Sequence, residues 1–213
     1  MRRSELVASL GRRFTRFTTD VVVPRPGLWR VFRPVIRRQF DGLAPVWNDM
    51  RSADALAPYE AALAALPEAP ARALDLGTGT GLGAFTIARR FPQADVVGAD
   101  FSERMIAEAR RLTPADLAPR VRFEVADASR LPYDDHAFEL VGLANMIPFF
   151  DELARVVAPG GHVVIGFSGG AATPIYVPPE RLKDELGRRG FADFADFAAG
   201  AGTALLARKR DRA

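Results

Sequence analysis

The sequence predicts an α/β protein: a doubly wound sheet of seven strands, mostly parallel, closed at its C-terminal side by an antiparallel hairpin. Three observations carry this. From Arg72 onward, short β-rich runs alternate with helical patterns, which implies parallel strands covered by helices on both faces. The last two strand-like runs are joined only by "AGAG", too short for a parallel crossover, so they pair antiparallel. Ahead of this unit lies a basic, amphipathic segment with no β pattern. The division expected is a cap at residues 1–58 and a sheet domain at residues 59–213.

The elements follow in order. "ALDLG" (Ala73–Gly77) reads as a short buried strand, and "GAFTIARRF" (Gly83–Phe91) as a helix stopped by Pro92. "DVVGAD" (Asp95–Asp100) is the second strand. "SERMIAEARRL" (Ser102–Leu112) is a helix with Ser102 as N-cap and Glu103 in its first turn. "VRFEVAD" (Val121–Asp127) and "FELVGLAN" (Phe138–Asn145) are the third and fourth strands. The helix "FFDELARVV" (Phe149–Val157) leads through "APGG" to a fifth strand, "HVVIGFS" (His162–Ser168). After the helix "ERLKDELGRRG" (Glu180–Gly190) come the hairpin strands "FADFADFA" (Phe191–Ala198) and "TALLARK" (Thr203–Lys209).

Composition narrows the chemistry. At 213 residues, one domain with an appended segment is expected. There is no cysteine, which excludes disulfides, thiolate metal sites and a cysteine nucleophile; with only two histidines, no metal centre is expected. No apolar run approaches the roughly 20 residues that span a bilayer. The basic N-terminus lacks a continuous apolar core and a small-residue cleavage site, so a cytoplasmic location is expected. The net charge of +3 conceals an asymmetry: ten arginines fall in residues 1–38 against Glu5 and Asp20.

The stretch "ALDLGTGTGLGAF" (Ala73–Phe85) poses the question of which ligand its glycines admit. A triphosphate loop needs lysine and then serine or threonine after the last glycine, and neither is present. A dinucleotide fingerprint can be laid on Gly79 to Ala84 with Asp100 as ribose acceptor. A third reading uses more of the chain. Asp75, Asp100 and Asp127 sit at the carboxyl ends of the first three strands, where open α/β sheets bind ligands. Such crowding of negative charge opposes a phosphate. It suits a cationic sulfonium carrying an ammonium group, a ribose diol and an adenine.

With "LDLGTGTG", "VVGADFSERMIAEAR", "VRFEVADASRLPYDDHAFELV" and "ELARVVAPGGHVVI", the chain from about Phe40 to Lys209 resembles the class I S-adenosylmethionine-dependent methyltransferases, in particular the ubiquinone/menaquinone-biosynthesis-like branch. The resemblance implies a Rossmann-like fold and S-adenosyl-L-methionine as cofactor. It implies that Asp75, Gly77, Thr78, Gly79 and Gly81 hold the amino-acid end of the cofactor. Asp100 would take the ribose diol, Phe101 and Met105 flank the adenine, and Asp127 with Ala128 bind the adenine edge. Asn145 would lie nearest the transferable methyl.

Methyl transfer from a sulfonium needs alignment and, for some acceptors, a base. His162 opens the fifth strand and His136 precedes the fourth, so both are expected at the rim remote from the ligand. Asp49, Asn145 and Tyr176 are the candidates for a catalytic contact. Trp47, Met146, Phe149 and Tyr176 are the candidates for substrate contact or closure. Trp47 and Asp49 belong to "FDGLAPVWNDM", which resembles the family's entry motif with tryptophan in place of tyrosine. The segment "LANMIPFFDELARVV" departs from the family by being short and lacking histidine, which leaves the quinone acceptor open.

The N-terminal segment places Leu6, Leu10, Phe14 and Phe17 on one helical face, and Leu28, Phe32, Ile36 and Phe40 on another, with Gly11 and Pro34 interrupting. It reads either as a contact for an anionic membrane surface or as a helical cap packed on the core. The cap is the expectation taken. Nucleic-acid binding is not favoured, since no recognition module is appended. The function expected is methyl transfer to a small apolar or aromatic molecule, lipid- or quinone-like. The alternatives are an RNA methyltransferase using the arginines and a protein that binds S-adenosylmethionine without catalysis.

Overall fold

The computed structural model describes residues 3–50, 52 and 54–211, with side chains from Gly11 onward. The first two helices, α1 (Arg3–Val22) and α2 (Trp29–Leu43), form the cap, and α3 (Ala57–Ala64) leads into the sheet domain. There follow β1 (Arg72–Leu76), α4 (Leu82–Arg90), β2 (Asp95–Asp100), α5 (Glu103–Leu112), β3 (Val121–Val125) and β4 (Phe138–Ala144). The chain then forms α6 (Phe150–Val156), β5 (Val157–Phe167), α7 (Pro179–Gly187), β6 (Phe191–Ala199) and β7 (Gly202–Lys209). The seven strands make one sheet in the order β3-β2-β1-β4-β5-β7-β6. β1 to β5 run parallel, and β7 inserts antiparallel between β5 and β6. The predicted sheet and its terminal hairpin are therefore present.

Alternation along each strand divides the core in two. Leu74, Leu76, Val97, Ala99, Val141 and Leu143 face α6, α7 and the cap helix α2. Ala73, Val96, Leu140 and Val164 face α3, α4 and α5. The strand order reverses between β1 and β4, opening a crevice at the carboxyl ends of the parallel strands.

Two departures from expectation have local causes. β5 starts at Val157, not His162, because Phe138 pairs with Val157 before the register jumps to Leu140 opposite His162. The "APGG" turn is thus an irregular bulge within the strand. In the cap, the inward face of α1 is Thr15, Thr18, Thr19 and Val22, while Phe17 stands 56% exposed. Each of these threonine hydroxyls donates to the carbonyl four residues back, at 2.9–3.0 Å, which satisfies the hydroxyl within the helix. Leu6 and Leu10 lie outside the described side chains. Of the face predicted on α2, Ile36 is buried and Leu28, Phe32 and Phe40 are half-buried, with Trp29 buried beside them; both helices run through Gly11 and Pro34 without a break.

Tyr59 of α3 lies flat on the sheet. A Cβ at Gly142 would clash with its hydroxyl oxygen, and one at Gly166 would crowd its ring, so glycine there makes room for the tyrosine. That hydroxyl is buried and has no hydrogen-bond partner, and burial pushes its pKa well up. An unpaired buried hydroxyl costs free energy. Tyr59→Phe is therefore expected to raise unfolding stability by about 1 kcal/mol, read from urea denaturation midpoints at unchanged slope.

Candidate active site

The glycine loop after β1 turns by placing Gly77, Gly79 and Gly81 at φ of 72°, 54° and 92°, a left-handed region costly to other residues. It is anchored to β2. The amides of Gly77 and Thr78 donate to the Ala99 carbonyl at 2.8 and 3.0 Å, and the amide of Gly79 donates to Oδ2 of Asp100 at 3.0 Å. Asp75 faces the α4 side of the sheet. Its Oδ2 accepts from Thr78 Oγ1 at 2.6 Å, and a Cβ at Gly83 would lie 2.5 Å from its Oδ1. Asp75 is 1% exposed and braces the loop beneath the first turn of α4, away from the cavity described below. The cap entry covers the loop from outside. Thr80 Oγ1 donates to Asn48 Oδ1 at 2.6 Å, and the Trp47 indole nitrogen lies 3.3 Å from the place of a Gly79 Cβ.

Asp100 is the buried carboxylate of the rim. Its Oδ1 accepts from the Ser102 amide at 2.9 Å and its Oδ2 from Gly79. Burial outweighs these donors, Asp41 adds repulsion, and the pKa rises to about 6. Ser102 caps α5 as predicted, accepting from the Met105 amide, and its hydroxyl donates to Asp41 at 2.5 Å. Phe101 packs between Trp29 and Phe40, with ring centroids at 5.5 and 6.3 Å. Met105 is 1% exposed and belongs to the buried face of α5.

Asp127 is gripped by the cap. Oδ1 accepts from Trp29 Nε1 at 2.9 Å and from the Ser129 amide and hydroxyl at 3.0 and 2.8 Å; Oδ2 accepts from Arg33 Nη1 at 2.7 Å. Burial pushes its pKa up, but Arg33, Ser129 and Trp29 together hold it below the usual carboxylate value.

Between cap and rim lies a cavity of about 90 Å³. The sheet side supplies Leu76, Gly77, Ala99, Asp100, Phe101, Ala126 and Ala128. Thr15, Trp29, Ile36 and Phe40 close it from the cap, and Asn145, Met146, Ile147, Phe149 and Ile175 complete the wall. Its polar side chains are Thr15, Asp100 and Asn145 alone; the rest is apolar. Asn145 adopts φ of 56°, and its Oδ1 accepts from the Ser168 amide and hydroxyl at 2.9 and 3.1 Å. Met146 lies over the loop, its Sδ 2.6 Å from the place of a Gly77 Cβ. Beyond Trp29 and Phe149 an outer groove of about 420 Å³ runs past Arg30, Arg33, Asp127 and Arg189.

The predicted site residues thus separate. Gly77, Asp100, Phe101, Ala128, Asn145, Met146 and Phe149 meet at the cavity, and Thr78, Gly79, Gly81 and Asp75 build the loop behind it. Asp49 is exposed on the 3-10 turn Asn48–Met50. Tyr176 packs on Phe167 at 5.3 Å and its carbonyl accepts from Arg16, while its neighbour Ile175 reaches the cavity. His136 precedes β4, its Nδ1 3.1 Å from the Val157 carbonyl, and His162 pairs with Leu140 and Arg208 towards the opposite rim. Sequence reasoning missed Arg33 and Trp29 as partners of Asp127 and Asn48 as partner of Thr80. Their signal was only a tryptophan and an arginine on adjoining faces of one amphipathic helix.

The residues fit an S-adenosylmethionine-type cofactor: a glycine loop that a Cβ would obstruct, a buried carboxylate for a diol, and aromatic and alanine walls for a purine. A ligand pocket commonly spans about 300–1,000 Å³, so admission requires Met146 or the cap to move outward. Strand order, terminal hairpin and rim together define a class I methyltransferase fold. The comparisons agree. Residues 73–161 match the family described as "Methyltransferase domain", which is the segment that carries the glycine loop and the rim carboxylates.

A demethylmenaquinone methyltransferase of Thermus thermophilus is 47% identical over 108 residues, 47% of this chain and 49% of that protein. The ubiquinone/menaquinone biosynthesis C-methyltransferase UbiE of Geobacter sulfurreducens is 38% identical over 103 residues, 44% of this chain and 40% of that protein. The chain thus spans about half the length of the curated relatives it matches. Among solved structures, the cyclase SpnF superposes with a TM-score of 0.68 at 19% identity, covering 83% of this chain and 96% of that one; this likeness concerns the fold. No helix among the described residues is long and apolar enough to cross a membrane.

Two outcomes follow from the carboxylates. If Asp100 takes a ribose diol, it must be ionised to do so, since both its oxygens already serve backbone amides. Affinity for S-adenosylhomocysteine is expected to hold above about pH 6 and to fall towards tenfold per unit below it, as titration calorimetry would show. With its folded pKa raised, Asp100 favours folding most in acid, and that contribution is lost as pH rises through about 6. Trp29→Phe keeps the ring packing but withdraws one donor from Asp127; if an adenine amino group uses that acceptor, affinity rises severalfold in the same titration, whereas a drop would remove Asp127 from adenine binding.

Proposed function

We propose that this protein transfers the methyl group of S-adenosylmethionine to a flat, apolar, quinone-like small molecule. The observation that carries the reading is the cavity itself: apolar walls, three polar side chains, and a glycine loop at one end. When bound, the cofactor supplies an electrophilic methyl group on a positively charged sulfur. Asp100 would hold its ribose, Phe101, Ala126 and Ala128 its purine, and Gly77 would let its amino-acid end lie close to the backbone. Asp127 and Asn145 would meet its two ends.

The remaining task of the protein is alignment and the exclusion of water. Among the residues that line the cavity, Asp100 is the sole ionisable group, and it is committed to the diol. A proton lost by the acceptor would therefore leave through solvent, not to a positioned base. That suits an acceptor with an acidic hydroxyl conjugated to the reacting atom, such as a reduced quinone. Two of the relatives carry names of quinone-biosynthesis methyltransferases, which supports the same class. The lack of a base also keeps a second reading, binding of the cofactor without catalysis.

Calorimetry should detect S-adenosylhomocysteine and not NAD. Transfer of a labelled methyl group should occur to a reduced, unmethylated naphthoquinone and not to an aliphatic dicarboxylate. Asp100→Ala is expected to weaken cofactor binding at least about tenfold. Tight cofactor binding with no transfer to any aromatic acceptor would favour the second reading.

A further inference from the structure

Six large apolar side chains stand exposed among the described residues, and five of them lie within the first 50: Phe17, Val31, Val35, Val46 and Met50. Three form one ridge. On α2, Val31, Val35 and Arg38 follow at i, i+4 and i+7 and so share a helix face. On α1, Arg13 and Phe17 stand four apart on a common face. The helices meet where the Phe17 and Phe14 rings contact Phe32, at 6.0 and 6.2 Å, which brings Phe17 beside the valine face. Val31 is 62% exposed and Val35 55%.

Unpaired charge on the two helices and their turn is cationic. Arg12, Arg13, Arg25, Arg30 and Arg38 take part in no ion pair among the described residues. Asp20 is answered by Arg16 on the preceding turn, and Asp41 by Arg37. Thr15, Ile36 and Phe40 line the cavity from other faces of the same two helices. One pair of helices thus presents the cavity on its inner side and an apolar, cationic ridge on its outer side.

We propose that this ridge docks the protein on an anionic lipid surface. Aliphatic side chains flanked by guanidinium groups match the boundary between headgroups and acyl chains, where apolar groups sink and arginines stay with phosphates. Nucleic acid answers the arginines but gives Val31 and Val35 nothing to pack on, since neither offers a stacking face or a donor. The docking supplies a route for a lipid-soluble acceptor, and in that respect rests on the function proposed above. The binding itself is separable, because it needs neither cofactor nor acceptor.

Flotation of the full chain with phosphatidylcholine vesicles, with and without phosphatidylglycerol, tests it. Binding is expected only to the anionic vesicles and is lost in high salt. Arg13→Gln with Arg38→Gln should lower the partition coefficient about 25-fold, about fivefold for each arginine near an anionic surface. Phe17→Ser with Val31→Ser and Val35→Ser should lower it about tenfold or more, and the two valine exchanges alone should lower it at a little-changed melting temperature, since both are exposed and lie outside the Phe17–Phe32 contact. Absence of binding to anionic vesicles, or binding that ignores the three apolar exchanges, overturns the proposal. Heparin or RNA binding that survives those exchanges while vesicle binding is absent would reassign the patch to nucleic acid.

Discussion

A single buried carboxylate, Asp100, holds the rim of this molecule together. It ends β2, yet its acceptors reach backwards to the Gly79 amide and forwards to the Ser102 amide. The glycine loop, the second strand and the start of α5 are therefore tied through one side chain. Its neighbours reinforce the tie: Ala99 takes two more loop amides, and Ser102 caps α5 while bonding Asp41 of the cap. Burying a charge this deeply is unfavourable to folding, as the upward shift of its pKa records. A carboxylate kept there supplies a strong acceptor at the rim, the role proposed above for a ribose diol.

The cap is joined to the rim by polar contacts at its edges and by aromatic packing between them. Arg33 and Trp29 grip Asp127, Arg37 reaches Glu103 and Asp41, and Asn48 meets Thr80. Trp29, Phe101, Phe40 and Trp47 form a chain of edge-on and tilted rings across the cavity. Half-exposed ion pairs of the Arg33 kind contribute little each. The cap is therefore seated mainly by its aromatics, with the polar contacts setting its register. The narrow cavity and the wider outer groove share one wall, Trp29 and Phe149.

The fold was legible because its signals are local and repeated. Each parallel strand is a short apolar run followed by a helix, and "AGAG" leaves the last pair no choice but to reverse. The grouping of Asp75, Asp100 and Asp127 at the strand ends was legible for a related reason: strand ends in such sheets share one rim. Which way each carboxylate turns was not legible. Asp75 points under α4 because strand alternation puts it on the face of Ala73, a parity that a motif does not display. The grip of the cap on Asp127 depends on pairs 94 and 98 residues apart in sequence, beyond any periodic signal. The inner face of α1 was misread because threonines that bond their own helix behave as apolar surface.

What the geometry leaves for chemistry is restrictive. The same fold supports a cyclase, so the sheet by itself selects no reaction. On the proposed function, the cavity would select by what it withholds. Its one carboxylate is engaged by backbone amides, its amide oxygen at Asn145 is taken by Ser168, its Thr15 hydroxyl donates to the Gly11 carbonyl, and its remaining side chains are hydrocarbon, aromatic or thioether. An acceptor with several hydroxyls or a carboxylate would enter at the cost of unpaired polar groups. An acceptor that brings its own activation and an apolar body would not. The cap then acts on both sides of that choice, closing a mostly apolar cavity inside and carrying an apolar, positively charged ridge outside.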